Sequence, residues 1–99
     1  MLYAIFGQDT QESLAGRGRA RDGHLQRIRA LLDEGRLLLA GPMPAIDAAE
    51  PGPAGFTGSL IVAEFDSLAD AHCWADADPY LAVGAWASVD VRPFVQVLP

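Results

Sequence analysis

The stretch SLIVAEFDSLAD, residues 59–70, decides the fold because it passes directly from a predicted strand into a predicted helix. Five of the seven residues from 59 to 65 are apolar, and the run has the length of a typical strand. Ser67 and Asp70 then resemble a capping box that opens a helix. The stretch therefore predicts a strand over 59–65 and a helix over 67–75.

The flanking sequence predicts three more strands and a longer helix. The predicted strands are 2–6, 36–40 and 87–97, and a helical turn at 80–83 precedes the last one. Apolar residues recur at spacings of three and four over 21–34, which predicts the first helix and ends at Gly35. Gly41 and Pro42 are expected to stop the second strand and to begin a long loop that reaches Gly58.

The resulting order, strand, helix, strand, strand, helix, strand, predicts an α+β, ferredoxin-like βαββαβ domain with a four-stranded antiparallel sheet. Both helices would pack on one face of the sheet. Strands 2–6 and 59–65 are apolar at consecutive positions, so the second face also requires burial. We expect a second copy of the chain to cover it in a homodimer.

Composition restricts the function classes. The chain has 99 residues, 51% of them hydrophobic, which predicts one domain over 1–99. Its net charge of −6 argues against a nucleic-acid partner, and no apolar run is long enough to cross a membrane. Cys73 is the only cysteine and the N-terminus lacks the pattern of a signal peptide, so we expect a reducing, cytoplasmic location.

His24 is the first candidate for proton transfer. On a helical wheel it lies at the centre of an arc that contains Ile28 and Leu31, with Arg17 and Arg21 near the same face. A histidine beside apolar groups can act as a general base, and an adjacent arginine can hold a carboxylate or enolate. The same pattern fits a boundary histidine without catalytic function and arginines that extend to solvent, so the pattern alone leaves both interpretations open.

Asp78 has two compatible interpretations. It can orient and stabilise an imidazole if the end of the second helix lies beside the first. It can also cap the helical turn that begins at Pro79. Neither role excludes the other.

Four further residues are candidates for lining a ligand site. Ser59 can direct its hydroxyl into a pocket, although a serine at a strand start is equally typical of a turn. Gly41 and Pro42 would let backbone approach a ligand, and Tyr80 lies beside Asp78 in sequence. His72, Cys73 and His24 do not have the spacing of a zinc site, so we expect neither a metal nor a cofactor.

The sequence resembles the YciI-like (YCII-related domain) family over nearly its whole length. The matching stretches are 2–5, Arg21 with His24 and Leu25, 33–37, 40–42, 55–59 and 74–80. The resemblance implies a ferredoxin-like fold that assembles as a dimeric α/β barrel. It also implies a His-Asp pair, here His24 and Asp78, in a small cleft with Gly41, Pro42 and Ser59 as lining and Arg21 as an anion contact.

Two function classes follow. The first is a cofactor-independent lyase or isomerase that acts on a small anionic organic molecule, with His24 moving the proton and Asp78 stabilising the imidazole. Ser59 and Arg21 would hold the developing oxyanion. The alternative is a non-catalytic module that binds a small molecule or serves as an accessory dimerisation unit.

Overall fold

A computed structural model describes all 99 residues, Met1–Pro99. Its four strands form one antiparallel sheet in the order β2-β3-β1-β4. The strands are β1 (Leu2–Asp9), β2 (Leu37–Pro44), β3 (Phe56–Glu64) and β4 (Trp86–Phe94). The helices are α1 (Leu14–Asp33), α2 (Leu68–Asp76) and the short α3 (Pro79–Ala82). This arrangement confirms the predicted βαββαβ, ferredoxin-like α+β topology.

The two faces of the sheet differ in burial. Along β1, Tyr3 and Ile5 belong to the core shared with the helices, and Ile5 is 0% exposed. Because successive side chains alternate across a strand, Phe6 lies on the other face, where it is 37% exposed. We call this second surface the open face, and the apolar residues that the strand register places there are Leu2, Ala4, Phe6, Leu39, Met43, Leu60, Val62 and Phe94.

Helix α1 begins at Leu14, so the predicted start near Arg21 was wrong. Gly16 and Gly18, which disfavour helix by about 1 kcal/mol each, lie inside it. A Cβ on Gly16 would lie 3.3 Å from the Cβ of Ala85, so the small residue lets the first turns of α1 pack closely on the chain before β4. Tertiary packing therefore outweighs the local propensity.

Strand β2 continues through Gly41 and Pro42 to Pro44, so the predicted stop at that dipeptide was wrong. Gly41 pairs with Leu60 and Pro42 with Ser59. Since β2 is an edge strand, a proline there can leave its missing N–H on the unpaired side. The connection to β3 is consequently shorter than predicted and contains one 3₁₀ turn, Gly52–Ala54.

Two strand ends also differ from prediction. Strand β1 extends past Gly7 to Asp9, and the absence of a side chain at Gly7 leaves room for the Trp86 indole against the β1 backbone. Strand β4 ends at Phe94, which pairs with Leu2, the first residue of β1, so the chain beyond it has no neighbouring strand on that side. None of the helices combines the length and hydrophobicity needed to span a lipid bilayer.

Candidate functional site

His24 and Asp78 are in direct contact. His24 lies midway along α1, and Asp78 lies between α2 and α3. The Nδ1 atom of His24 is 2.9 Å from Oδ1 and 2.8 Å from Oδ2 of Asp78. The two residues are 5% and 1% exposed, so water does not compete for this hydrogen bond. An ionised carboxylate only accepts hydrogen bonds, which assigns the Nδ1 proton to the imidazole and the lone pair to Nε2 when the ring is neutral.

Asp78 also caps α3. The backbone N–H of Tyr80 donates to Oδ1 of Asp78 at 2.9 Å, and Pro79 occupies the first helical position, where its missing N–H costs nothing. The cap fixes the carboxylate relative to the backbone. Both interpretations of Asp78 from the sequence are thus present in the geometry of one side chain.

The guanidinium of Arg27 also lies beside Asp78. Its Nη1 atom is 3.6 Å from Oδ2 of Asp78, while Nη2 donates to the carbonyl oxygen of Trp74 at 2.6 Å. The guanidinium lies over the Trp74 ring, 4.4 Å from its centroid. Burial lowers the pKa of Arg27, and the negative charge of Asp78 partly offsets that effect. Asp78 is therefore shared by two side chains, His24 and Arg27, that lie one turn apart on α1.

Two aromatic side chains hold the imidazole in place. The Tyr80 ring stacks on His24 with centroids 3.9 Å apart and an interplanar angle of 11°. The Trp86 indole meets both rings edge to face, at 5.4 Å from His24 and 5.6 Å from Tyr80. Only Nδ1 of His24 has a hydrogen-bond partner in the protein, and Nε2 is not sealed off from solvent. The two aromatic rings and Asp78 therefore fix the position of the imidazole, and Nε2 has no hydrogen-bond partner in the protein.

A buried ion pair between Arg17 and Asp9 also lies near Tyr80. Arg17 donates from Nε and Nη2 to the two carboxylate oxygens of Asp9 at 2.6 and 2.8 Å. The hydroxyl of Ser13 donates to the same carboxylate. Nη2 of Arg17 also donates to the hydroxyl oxygen of Ser59 at 2.9 Å. Both charged side chains are at least nine-tenths buried, which makes the pair a fixed part of the site.

A cavity of about 300 Å³ joins these groups. Five apolar residues form one part of its lining, which we call the apolar floor: Leu25, Ile28, Leu37, Ala40 and Ile61. The other lining residues are Arg21, His24, Gly41, Pro42, Ser59 and Tyr80. These six were all candidates from the sequence, and the seventh candidate, Asp78, lies behind His24. A larger cavity of about 470 Å³ beside the β1–α1 connection contains neither member of the His24–Asp78 pair.

Burial favours the neutral form of the Tyr80 phenol. Burial raises the pKa of Tyr80, while the positive charges of Arg17 and Arg21 act in the opposite direction and reduce the rise. A neutral phenol can donate a hydrogen bond into the cavity. Tyr80 thus presents a polar group beside the apolar floor.

Sequence reasoning missed Asp9 and Arg27 and did not assign Arg17 its ion-pair role. Arg27 had a signal, since it lies three residues after His24 and therefore on the same face of α1. Asp9 had none, because it lies beyond the predicted end of the first strand. No group of three or more His, Cys, Asp or Glu side chains is arranged to hold a metal ion.

Known proteins of similar sequence cover nearly the whole chain. Protein YciI of Escherichia coli O6:H1 is 57% identical over 97 residues, which is 98% of this chain and 99% of the relative. An uncharacterized protein of Haemophilus influenzae is 48% identical over the same length, with the same shares covered.

A solved structure shares the fold. It is the 5-chloro-2-hydroxyhydroquinone dehydrochlorinase TftG of Burkholderia phenoliruptrix, with a TM-score of 0.83, 24% identity and coverage of 97% of this chain and 95% of that chain. The family model for the YCII-related domain matches residues 1–95. The chain therefore belongs to the YCII-related domain family.

Proposed function

We propose that the protein is a cofactor-independent lyase or isomerase that moves a proton on a small anionic organic molecule. The observation that carries the proposal is the Nδ1 contact of His24 with Asp78, which leaves the Nε2 lone pair free in a residue that lines the cavity. Asp78 fixes the tautomer and stabilises the imidazolium that forms when the ring accepts a proton. This is the arrangement of a general base with its orienting carboxylate.

The proposed step is proton abstraction from a carbon next to a carbonyl group. Nε2 of His24 takes the proton, the electron pair of the C–H bond forms a carbon–carbon double bond, and the π electrons of the carbonyl group move to its oxygen to give an enolate. An isomerase returns the proton from Nε2 to a different carbon. A lyase instead re-forms the carbonyl group while a leaving group on the next carbon departs with its bonding electrons. Either path restores neutral His24 once the imidazolium gives up its proton.

Arg21 supports an anionic ligand. It lines the cavity and makes no ion pair with the protein, whereas Arg17 is committed to Asp9 and Arg27 lies against Asp78. A ligand whose carboxylate binds Arg21 would place its hydrocarbon part against the apolar residues of the cavity. The uncommitted guanidinium thus supports the expectation of a small organic acid.

The dehydrochlorinase supplies one class of compound to test. That protein was solved in complex with 2,5-dihydroxybenzoquinone, and loss of HCl is a lyase-type reaction. A shared fold does not by itself transfer a reaction, so the proposal rests on the His24 geometry, and chlorinated hydroxyhydroquinones are included in the test as one substrate class.

We also propose that the chain functions as a homodimer that buries the open face, in a reducing, cytoplasmic location. Phe6, Leu39 and Phe94 are 37%, 47% and 39% exposed on this face, which is unusual for three large apolar side chains on one surface. A second copy would bring the same apolar side chains to cover them.

Proton exchange tests the proposed function even while the full reaction is unidentified. Small cyclic keto acids, lactone acids and chlorinated hydroxyhydroquinones are incubated with the protein in D2O, and NMR follows loss of the proton next to the carbonyl or loss of chloride. We expect His24→Asn to slow the reaction at least about a hundredfold. The matched control is His72→Asn, which removes an exposed histidine on α2 and should leave the rate unchanged.

An unchanged rate in His24→Asn would contradict the assignment of His24 as the base. Binding of these acids without any exchange would instead support the alternative of a non-catalytic binding module.

A further inference from the structure

The hydroxyl hydrogens of Ser59 and Tyr80 have no acceptor within the protein. Both residues line the cavity and are 4% and 3% exposed. The Ser59 oxygen accepts a hydrogen bond from Arg17, and neither hydroxyl donates one to a protein acceptor. Two buried O–H donors are therefore available to a ligand in the same cavity as His24.

Arg17 contacts both of these residues. Its Nη2 atom is 2.9 Å from Oγ of Ser59, and its Cζ atom lies 5.1 Å from the centroid of the Tyr80 ring. Nη2 also donates to the carbonyl oxygen of Gly58 at 3.1 Å, and the guanidinium lies 4.8 Å from the centroid of Phe56. Arg17 therefore spans the space between β3 and α3, although it does not line the cavity.

Asp9 restricts Arg17 to a single geometry. The two parallel hydrogen bonds from Nε and Nη2 fix both the position and the plane of the guanidinium. A guanidinium that is held in this way keeps its charge directed at the Ser59 oxygen. A hydroxyl that accepts a charge-assisted hydrogen bond becomes a stronger donor through its own hydrogen.

We propose that Arg17, held by Asp9, is a positioning residue for an oxyanion site formed by the hydroxyl groups of Ser59 and Tyr80. The site takes a negatively charged oxygen on a planar ligand, such as an enolate or phenolate. The inference rests on the proposed function, because such an oxygen develops when His24 removes a proton next to a carbonyl. Arg17 itself does not touch the ligand.

The probe for this site is 4-nitrophenolate, whose visible absorption responds to hydrogen bonding at its oxygen. It carries no proton for His24 to remove from carbon, so binding is measured separately from proton transfer. We expect Ser59→Ala and Tyr80→Phe each to weaken binding about tenfold or more, as for the loss of one hydrogen bond to a charged group. Each should also reduce the shift in absorption of the bound probe.

The decisive comparison is a double-mutant cycle. Single Arg17 variants leave the buried carboxylate of Asp9 unpaired and can fail to fold, so the variant is Asp9→Asn with Arg17→Gln, which replaces the ion pair by a neutral pair of similar shape. We expect this variant to weaken binding about tenfold. In the triple variant, which also carries Ser59→Ala, the total loss of affinity should be clearly smaller than the product of the loss in Ser59→Ala and the loss in the Asp9→Asn, Arg17→Gln variant. Both changes act on the same hydroxyl donor.

The control is Arg19→Gln, which removes an exposed positive charge from α1 and should leave the affinity and the absorption of the bound probe unchanged. Losses that multiply fully in the cycle would mean that the Asp9–Arg17 pair only stabilises the fold. Failure of the wild-type protein to bind the probe would overturn the oxyanion site. Neither result depends on whether His24→Asn slows proton exchange, so the two proposals can fail separately.

Discussion

The imidazole of His24 and the phenol ring of Tyr80 lie face to face, 3.9 Å apart at their centroids and within 11° of parallel. The same Asp78 carboxylate accepts from Nδ1 of His24 and from the backbone N–H of Tyr80. One buried side chain thus positions both stacked residues. Changes at Asp78 should therefore affect the stability of the protein and the chemistry of the site together.

Asp78→Asn should lower both stability and proton exchange. The amide retains one acceptor oxygen for the cap but removes the charge that faces Arg27 and the imidazole. We expect a loss of about 2 to 3 kcal/mol in the free energy of unfolding, measured by urea denaturation. An exchange rate equal to that of the wild type would show that the carboxylate has no part in the reaction.

Gly7→Ala should disturb the site through Trp86, because Gly7 lies on the helix-facing side of the sheet. A Cβ at this position would lie 2.2 Å from Cε2 of Trp86, whose indole supports both His24 and Tyr80. We expect a loss of about 1 to 3 kcal/mol, seen as a lower midpoint of thermal unfolding.

The control for this change is Gly18→Ala in helix α1, where a Cβ meets nothing within 4 Å. It should stabilise the protein by about 1 kcal/mol. Equal effects of the two substitutions would contradict the role of Gly7 in seating the indole.

Tyr80 should resist ionisation. Burial raises the pKa of Tyr80, so in the folded protein the phenol stays neutral above the ordinary tyrosine value of about 10. The contribution of the neutral phenol to the free energy of unfolding is complete below a pH of about 10, the ordinary tyrosine pKa. It is lost as the pH rises through the higher pKa of Tyr80 in the folded state. A tyrosinate absorbance titration of a Tyr3→Phe variant, which leaves only Tyr80, measures this shift, and a midpoint at or below about 10 in the folded protein would contradict it.

Phe6→Asp should break the proposed dimer. The substitution removes a large apolar side chain from the open face and adds a second negative charge beside Asp90, without touching the helix-facing core. Light scattering should give twice 10.5 kDa for the wild-type chain and 10.5 kDa for the variant. Leu32→Asp, at a 58% exposed leucine on α1, is the control and should remain dimeric. A wild-type protein that is monomeric at high concentration would refute the dimer.

Much of the fold was predictable because its signals are local. The capping serine of α2 accepts from the backbone N–H of Asp70 as its sequence pattern suggested, and the apolar run of β3 pairs on both sides. The start of α1 was not predictable. Two glycines in its first turns oppose a helix, and the contact of Gly16 with Ala85 joins residues far apart in the sequence.

The candidate site was also predictable only where its signals are local. His24 was identifiable from its position among apolar residues on one helix face, and Asp78 from its place before Pro79. The ion pair of Asp9 with Arg17 depends on β1 continuing to Asp9 and on α1 beginning at Leu14, and the sequence pattern predicted neither bound. The role of Arg27 depends on where α2 ends, since its hydrogen bond goes to a backbone carbonyl there.

The tautomer of His24 tests the proposed mechanism most directly. Long-range ¹H–¹⁵N NMR correlations of the imidazole distinguish a protonated Nδ1 from a protonated Nε2 when the ring is neutral. We predict that Nδ1 carries the proton in the wild-type protein and that Asp78→Ala increases the share of the other tautomer, with His72 as an internal reference. A neutral His24 ring protonated at Nε2 would leave no base facing the cavity and would contradict the proposed mechanism.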